Sequence, residues 1–250
     1  MSTLDDLLTL SHRLGAGDMD CAILGEGNTS ALHADGSFSV KASGSCLATI
    51  RPEQFVRLHH QPIIDLLTSD ASLEELNAAY VAAKVDPQAP GRPSVETVFH
   101  AVALRYPSVQ VVAHTHPTAV NALTCHAEWR HVLRGRLCPD EAVVLGPDSA
   151  FVPYVDPGVA LARGITQEID AYIEREGATP KAIYLQNHGF IALAATATEA
   201  YNITCMAVKA ARMRLAALSA GGFDPLPRRV IDHLLGRSDE HFRQAVLTGR

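Results

Sequence analysis

The chain has 250 residues, of which 47% are hydrophobic and 19% charged, and it carries a formal net charge of −6. This balance excludes a disordered or fibrous chain and provides enough apolar side chains for a large buried core. Because acidic residues outnumber basic ones and no basic run occurs, the sequence argues against binding to nucleic acid or to a membrane surface. Twelve histidines beside a single tryptophan point instead to metal or proton chemistry.

No internal repeat or long linker divides the chain, so we predict that residues 1–250 form a single domain. The N-terminus carries Asp5 and Asp6 where a signal peptide would have basic residues, and no apolar run is long enough to span a membrane. We therefore expect a cytoplasmic protein. The five scattered cysteines are expected to be small buried hydrophobic residues. They are Cys21, Cys46, Cys125, Cys138 and Cys205.

Three patterns describe the N-terminal half of the chain. A helix is predicted over residues 3–14, because acidic residues fall in its first turn and a glycine follows it. An Asp-Gly pair indicates a hairpin turn between strands over residues 31–33 and 38–41. Residues 53–85 have apolar side chains at helical spacing around short loops and are predicted to be largely helical.

The C-terminal half alternates helices with short apolar strands. Helices are predicted over residues 94–106, 118–123, 156–177 and 196–219. Strands are predicted over residues 109–116, 182–185 and 190–193. The helix that begins near Asp156 has Pro157 at its first helical position, where proline is well tolerated. Since these elements follow no regular βαβ order, we expect a mixed α+β, layered fold rather than a Rossmann domain.

The sharpest local motif is the sequence His114-Thr115-His116 at the end of a predicted strand. Side chains two residues apart on a strand point to the same face, so the two imidazoles can converge on one ion. Zinc and similar divalent cations bind such imidazole pairs, and a catalytic site adds a third protein ligand. The alternative is a histidine pair that merely ends a strand. The motif therefore requires a third donor before it indicates a metal site.

His188 is the best candidate for that third donor. It lies in Asn187-His188-Gly189, a turn between two apolar strands in which glycine lets the backbone bend. A purely structural histidine is the alternative at this position. His100 follows Glu96 by four residues on the same helix face, where it is expected to support the site rather than to contact the metal.

Glu96 lies near the start of the helix that precedes the His-x-His strand. If the helix start and the strand end meet in one cleft, Glu96 can act as a general acid and base, and the free N–H groups can bind an anion. An ordinary solvated helix residue is the alternative. The glycine- and serine-rich turns at residues 25–30 and 43–45 supply further donors for a phosphate or polyol.

The order of these motifs resembles that of the class II aldolase/adducin family. The motifs are Gly27-Asn28-Thr29-Ser30, Lys41-Ala42-Ser43-Gly44, Pro93-Ser94-Val95-Glu96-Thr97 with His100, His114-Thr115-His116-Pro117 and Asn187-His188-Gly189. The resemblance extends from about residue 7 to about residue 215. Residues 40–50 and 93–97 look most like the aldolase portion of bifunctional rhamnulose-phosphate aldolase/dehydrogenase proteins.

The resemblance implies a layered α/β/α fold around a mostly antiparallel sheet and a role for each motif. His114, His116 and His188 match the family's metal-binding histidines, which usually hold Zn²⁺, with Mn²⁺ or Co²⁺ as alternatives. Glu96 matches the catalytic glutamate; an aspartate at this position would be typical of the epimerases, so Glu96 favours cleavage of a carbon–carbon bond. The positions that match phosphate-binding residues are Asn28, Ser43, Gly44 and Ser94.

Two positions depart from the fuculose-phosphate aldolase pattern. Val95 replaces a second serine, which removes one hydroxyl from the expected phosphate pocket. No tyrosine occurs between Pro117 and Ala150, where those enzymes supply a phenol that protonates the aldehyde oxygen across a subunit boundary. Tyr154 or a water molecule is the expected replacement.

The function implied by the resemblance is that of a zinc-dependent aldehyde-lyase. It would reversibly cleave a ketose 1-phosphate, or a related hydroxy-carbonyl sugar derivative, into dihydroxyacetone phosphate and a small aldehyde through a metal-stabilised enediolate. One alternative is decarboxylation of a phosphorylated 3-keto sugar acid at the same site. Another is a non-catalytic, adducin-like binding domain. The expected partners are a small phosphorylated sugar and further copies of the chain in a homotetramer.

Overall fold

The computed structural model describes residues 2–240 and Val246, and its centre is one seven-stranded sheet. The strands lie in the order β3-β2-β1-β4-β7-β6-β5, and every neighbouring pair is antiparallel except β5 and β6. They are β1 (Asn28–Leu32), β2 (Ser37–Lys41), β3 (Phe55–His59), β4 (Val111–Thr115), β5 (Ala150–Val152), β6 (Ala182–Leu185) and β7 (Gly189–Ala194). The predicted, mostly antiparallel central sheet is thus confirmed.

Helices cover both faces of this sheet. The first five are α1 (Thr3–Leu14), α2 (His60–Ile64), α3 (Leu73–Ala82), α4 (Thr97–Leu104) and α5 (Thr118–Thr124). They are followed by α6 (Trp129–Leu133), α7 (Pro139–Leu145), α8 (Val159–Glu176), α9 (Ala197–Ser219) and α10 (Arg228–Leu235). One hydrophobic core lies between the sheet and α2, α3, α4 and α8, and a second lies between the sheet and α1, α5, α6, α7 and α9. This is the expected α/β/α layering.

The first helix and the hairpin form as the sequence predicts. Ser2 caps α1, because its hydroxyl accepts from the Asp5 N–H while the Asp5 carboxylate accepts from the Ser2 N–H. The strands β1 and β2 pair in the register that places Ser30 opposite Val40. Their connection includes the expected Asp-Gly pair.

The largely helical prediction for residues 53–85 is wrong at its beginning, where the chain forms β3. Phe55, Val56 and Leu58 are buried, whereas Arg57 and His59 are exposed. From Val56 to His59 the burial alternates with the period of two that is typical of a strand with one solvated face. The strand extends the sheet by pairing with β2, and helices follow it as α2 and α3.

Two helices are shorter than their sequence patterns indicate. The helix predicted over 94–106 is ordered as α4 from Thr97, so Glu96 is the residue that precedes it rather than a member of its first turn. The helix predicted from Asp156 begins at Val159 as α8. Gly158 has a φ of +127°, which is incompatible with a right-handed helix and excludes Pro157 from the first helical position.

The prediction that all five cysteines are buried is wrong. The cysteines are free, but only Cys21 is buried, Cys125 is exposed and the other three are partly exposed. Cys125 follows the short helix α5, whose other face carries the contacts with the core. Among the described residues, no helix combines the length and apolar composition that crossing a membrane requires.

Candidate active site

His114 projects from the centre of the sheet and is fully buried. Its Nδ1 lies 3.0 Å from the carbonyl oxygen of Phe190 on the neighbouring strand β7. A carbonyl oxygen can only accept, so His114 donates a proton from Nδ1, and Nε2 is the ring nitrogen that faces the other site residues. That nitrogen lies 2.9 Å from His116 Nε2. The sheet therefore turns a ring nitrogen of His114 toward the second histidine.

His116 follows β4 by one residue, and its backbone N–H donates to the Cys21 carbonyl oxygen. Burial and the neighbouring histidines lower the pKa of His116 to about 3, so the ring is neutral at physiological pH. Its ring centroid lies 4.7 Å from that of His114 and 5.2 Å from that of His188. The two histidines of the His-x-His motif thus converge as the sequence predicts.

The turn between β6 and β7 brings His188 to the same place. Asn187 adopts a left-handed conformation with φ of +52°, which asparagine tolerates better than most residues. Its N–H donates to the Thr124 carbonyl oxygen, while the His188 N–H donates to that of Leu185. The turn is therefore anchored from two sides, and it holds the His188 ring partly buried beside the first two histidines.

Gly189 permits the close packing of this turn against β4. A Cβ atom at this position would lie 2.6 Å from the Thr115 carbonyl oxygen and 2.9 Å from His116 Cδ2. Neither distance is compatible with a side chain, since both are shorter than van der Waals contact. The absence of a side chain at Gly189 is thus a requirement for the approach of the three histidines.

The three histidines fit a divalent metal ion. Each offers one ring nitrogen, and these nitrogens all lie within 4.8 Å of one another. A hydrogen bond from the outer ring nitrogen to a backbone carbonyl is typical of metal-ligating histidines, and His114 makes such a bond from Nδ1. Three imidazoles with one further open position are typical of catalytic zinc sites, and imidazole also binds other divalent transition metals.

Glu96 faces this histidine cluster from the N-terminal end of α4. Its Oε1 lies 3.2 Å from His188 Nε2 and 3.5 Å from His114 Nε2. Burial alone would raise the pKa of Glu96, but the two histidines outweigh it and hold the pKa well below its ordinary value. The structure thus places the Glu96 carboxylate within reach of the cluster, and its role as a general base stays a prediction.

Asn28 is also at the cluster rather than in a separate loop. Its Nδ2 donates to Glu96 Oε2 over 2.7 Å, and its Oδ1 contacts His100 Nε2. His100 is fully buried and does not belong to the three-histidine group, and its supporting role stays a prediction. Asn28, His100 and Glu96 therefore form one connected polar group.

The other predicted phosphate-binding residues lie on two adjoining loops. Ala42 forms an isolated bridge with Pro93, and the Ser43 N–H donates to the Arg92 carbonyl oxygen over 2.7 Å. This pairing brings Ser43 and Gly44, which are exposed, beside the partly exposed Ser94. The Ser94 hydroxyl accepts from the Glu96 N–H over 3.2 Å, which connects the loop to the carboxylate.

Lys41 is a member of this group to which the sequence pattern assigned no role. It is 3% exposed, and its Nζ donates to the carbonyl oxygens of Ser45, at 2.6 Å, and Gly25, at 3.1 Å. Burial lowers its pKa. The ammonium thus joins the glycine-rich turn before β1 to the serine loop after β2. The sequence pattern of β2 does not distinguish such a lysine from a surface residue, because only its contacts with distant segments show that it is buried.

A cavity of about 360 Å³ adjoins His116 and includes Asp20, Glu26, Thr118 and Asn121 in its lining. It provides open space beside the histidine cluster. Tyr154, the residue expected to replace the missing phenol, is exposed and donates from its hydroxyl to Asp156 over 3.0 Å. Its role as a proton donor remains a prediction.

This chain is similar in sequence and in fold to known proteins. The family model described as "Class II Aldolase and Adducin N-terminal domain" matches residues 6–215. The chain is 27% identical over 217 residues to the uncharacterized oxidoreductase YuxG of Bacillus subtilis; the match covers 83% of this chain but spans only 29% of that relative.

Two solved structures share the fold. The N-terminal class II aldolase domain of a conserved protein from Thermoplasma acidophilum is 28% identical, with a TM-score of 0.67, and the match covers 86% of this chain and 94% of that domain. An L-fuculose 1-phosphate aldolase is 18% identical, with a TM-score of 0.71, and the match covers 97% and 98% of the two chains. The chain belongs to the class II aldolase/adducin family.

Proposed function

We propose that this protein is a metal-dependent aldolase that reversibly cleaves a ketose 1-phosphate, or a closely related hydroxy-carbonyl sugar derivative, to dihydroxyacetone phosphate and a small aldehyde. The observation that carries the proposal is the position of the Glu96 carboxylate, within 3.5 Å of ring nitrogens of both His114 and His188. A general base beside a cluster of metal-ligating imidazoles is the arrangement that proton abstraction next to a carbonyl requires.

His114, His116 and His188 would hold the metal ion, for which zinc is the first candidate and manganese or cobalt the alternatives. When bound, the ion supplies Lewis acidity where negative charge develops on the substrate oxygens. Two observations support this role: His114 donates from Nδ1 to a carbonyl and so turns Nε2 toward the cluster, and His116 is neutral at physiological pH.

Glu96 would move the proton at the substrate carbon. Its low pKa keeps the carboxylate ionised at neutral pH. In the direction of aldol synthesis it can therefore accept a proton from dihydroxyacetone phosphate. Microscopic reversibility makes the same group the donor when cleavage leaves negative charge at that carbon. Asn28 holds the other carboxylate oxygen and thereby orients the base.

The substrate's phosphate would lie between the two loops beside Glu96. Ser43, Gly44 and Ser94 offer hydroxyl and backbone donors, and Asn28 completes the set expected for this pocket. The ammonium of Lys41 donates to the carbonyl oxygens of Gly25 and Ser45 and would contribute positive charge to this region. Such a pocket binds one anionic group without needing a basic protein surface.

The proposal treats the chain as a single domain that assembles as a cytoplasmic homotetramer, following the family resemblance. Light scattering of the purified protein tests the assembly, and a mass of four chains is expected.

The reaction is tested by incubating the metal-loaded protein with a panel of ketose 1-phosphates and measuring dihydroxyacetone phosphate in a coupled assay. Release that disappears with a chelator and returns with zinc supports aldol cleavage. Carbon dioxide released from phosphorylated 3-keto sugar acids, without aldol cleavage, would assign decarboxylation instead. If the metal-loaded protein catalyses neither reaction, the adducin-like binding role is favoured.

A further inference from the structure

His100 on α4 is connected to the candidate catalytic carboxylate through a chain of side chains. Its Nδ1 lies 2.6 Å from Ser30 Oγ, and its Nε2 contacts Asn28 Oδ1. Asn28 in turn donates from Nδ2 to Glu96 Oε2 over 2.7 Å. The chain therefore runs from β1 through the buried imidazole and back to β1 before it reaches Glu96.

The partners fix the direction of every hydrogen bond in this chain. A carboxylate only accepts, so the Asn28 group that faces Glu96 must be the NH₂ group. The carbonyl oxygen of Asn28 then accepts from His100, which must carry its proton on Nε2. Burial lowers the pKa of His100 to about 3, so the ring is neutral and its Nδ1 accepts from the Ser30 hydroxyl.

We infer that His100 is a positioning residue that fixes the amide of Asn28 and, through it, the orientation of Glu96 toward the histidine cluster. A reversed Asn28 amide would place its carbonyl oxygen against the carboxylate and its NH₂ against the His100 N–H. Both contacts are repulsive, so only one orientation is stable. Glu96 Oε2 is thereby held by Asn28, while Oε1 faces His114 and His188.

The surroundings of His100 hold the ring in place. The Phe99 ring stacks on it with a centroid separation of 4.6 Å and an interplanar angle of 21°. Asn28 and Ser30 are two residues apart on β1, so their side chains point to the same face of the sheet. Each contacts one of the two ring nitrogens of His100. A ring that is packed on one face and bonded at both nitrogens cannot change its tautomer without losing a hydrogen bond.

The inference rests on the proposed role of Glu96, and its kinetic test uses the first half of the proposed reaction. The metal-loaded protein is mixed with dihydroxyacetone phosphate in deuterated water, and deuterium incorporation at carbon is followed by NMR. His100→Leu is expected to lower the maximal exchange rate at least a hundredfold. His100→Gln keeps an N–H donor and is expected to recover to within about tenfold of wild type.

A second histidine provides a matched control. His60 donates from Nε2 to the Ala101 carbonyl oxygen over 2.6 Å and packs its ring against Phe38. His60→Leu is expected to lower thermal stability but to keep the wild-type exchange rate per folded molecule. If His100→Leu also keeps that rate, or if both variants lose it equally, the inference is wrong.

Folding and function are separated by two further measurements. If His100→Leu does not fold, Ser30→Ala removes a single oxygen and is expected to slow exchange by about tenfold. ¹⁵N NMR of the metal-free wild type reports the tautomer directly, whether or not the protein has aldolase activity. A neutral His100 with its proton on Nε2 is expected, and a proton on Nδ1 would overturn the inference. If the wild type has the expected tautomer but catalyses no exchange, only the proposed function is contradicted.

Discussion

Asn28 and His114 lie directly opposite each other in the antiparallel register of β1 and β4. Asn28 donates to Oε2 of Glu96, and His114 Nε2 lies 3.5 Å from Oε1 of the same carboxylate. A one-residue slip of either strand would turn its side chain to the opposite face of the sheet. The pairing that builds the sheet therefore also aligns an amide, a carboxylate and an imidazole at one point.

The close approach at Gly189 leads to the first prediction. Gly189→Ala places a Cβ where it meets the Thr115 carbonyl oxygen at 2.6 Å and His116 Cδ2 at 2.9 Å. The turn must move away, so zinc affinity measured by competition with a chelator is expected to fall at least tenfold. Gly17→Ala is the control, because a Cβ at Gly17 has no atom within 4 Å. Equal zinc affinity in both variants would contradict the packing argument.

The buried ammonium of Lys41 leads to the second prediction. Lys41→Met is expected to weaken binding of dihydroxyacetone phosphate by about tenfold to a hundredfold, because the turns at Gly25 and Ser45 lose the charge-assisted hydrogen bonds that join them. Calorimetric titration of the metal-loaded protein measures this change. Lys84→Met is a matched control, since Lys84 also donates to a backbone carbonyl, that of Ala89. The pocket assignment fails if both variants bind the ligand as wild type does.

The three histidines and the carboxylate of the candidate site can be predicted from the sequence because each lies in a short motif. The His-x-His spacing makes two side chains converge on any strand, and the turn at His188 is recognisable from its flanking residues. Local spacing also places His100 on the same helix face as Glu96. The hydrogen bonds that connect His100 with Glu96 run through Asn28, which is 72 residues from His100 in the sequence. This connection depends on the position of β1 in the sheet, which no local sequence pattern predicts.

The same limitation explains the errors in the fold. Residues 55–59 form so short a segment that their apolar side chains are compatible with both helical and strand spacing. They form a strand because they pair with β2. Lys41 has a polar side chain in a strand, and only its contacts with Gly25 and Ser45 reveal that it is buried. In each case the outcome is determined by contacts between segments distant in sequence.

The low pKa of His100 leads to a prediction about stability and pH. The unfolded chain binds a proton at this residue near pH 6.5, whereas the folded protein does so only near pH 3. Between these values the unfolded state holds more protons, so the free energy of unfolding falls as the pH is lowered. The expected loss from this group between pH 7 and pH 5 is about 2 kcal/mol.

Denaturant unfolding of the metal-free protein across this pH range measures the effect. His100→Gln is expected to show a shallower dependence on pH than wild type, although it starts from a lower stability. His233 is exposed, so His233→Gln is expected to keep the wild-type slope. Identical slopes for wild type and His100→Gln would show that His100 does not titrate as described.

A buried ion-pair group far from the motifs leads to a prediction about stability alone. Glu141 Oε1 lies 2.8 Å from Arg214 Nη1 and 3.8 Å from Arg136 Nη1, and all three side chains are at most 1% exposed. Glu141→Gln leaves two buried guanidinium groups without their carboxylate, which is expected to cost about 3–5 kcal/mol. Urea unfolding measures this loss in the free energy of unfolding. Glu53→Gln disrupts an exposed pair with Arg51 and is expected to cost under about 1 kcal/mol; a similar loss in both variants would contradict the account.

The central claim is that Glu96 moves a proton at the substrate carbon beside a metal ion held by His114, His116 and His188. Solvent deuterium exchange into dihydroxyacetone phosphate, catalysed by the zinc-loaded protein, tests this claim most directly. Wild type is expected to catalyse exchange, and Glu96→Gln, with its zinc content unchanged, is expected to slow it by about 10²- to 10⁴-fold. Exchange at the wild-type rate in zinc-loaded Glu96→Gln would contradict the claim.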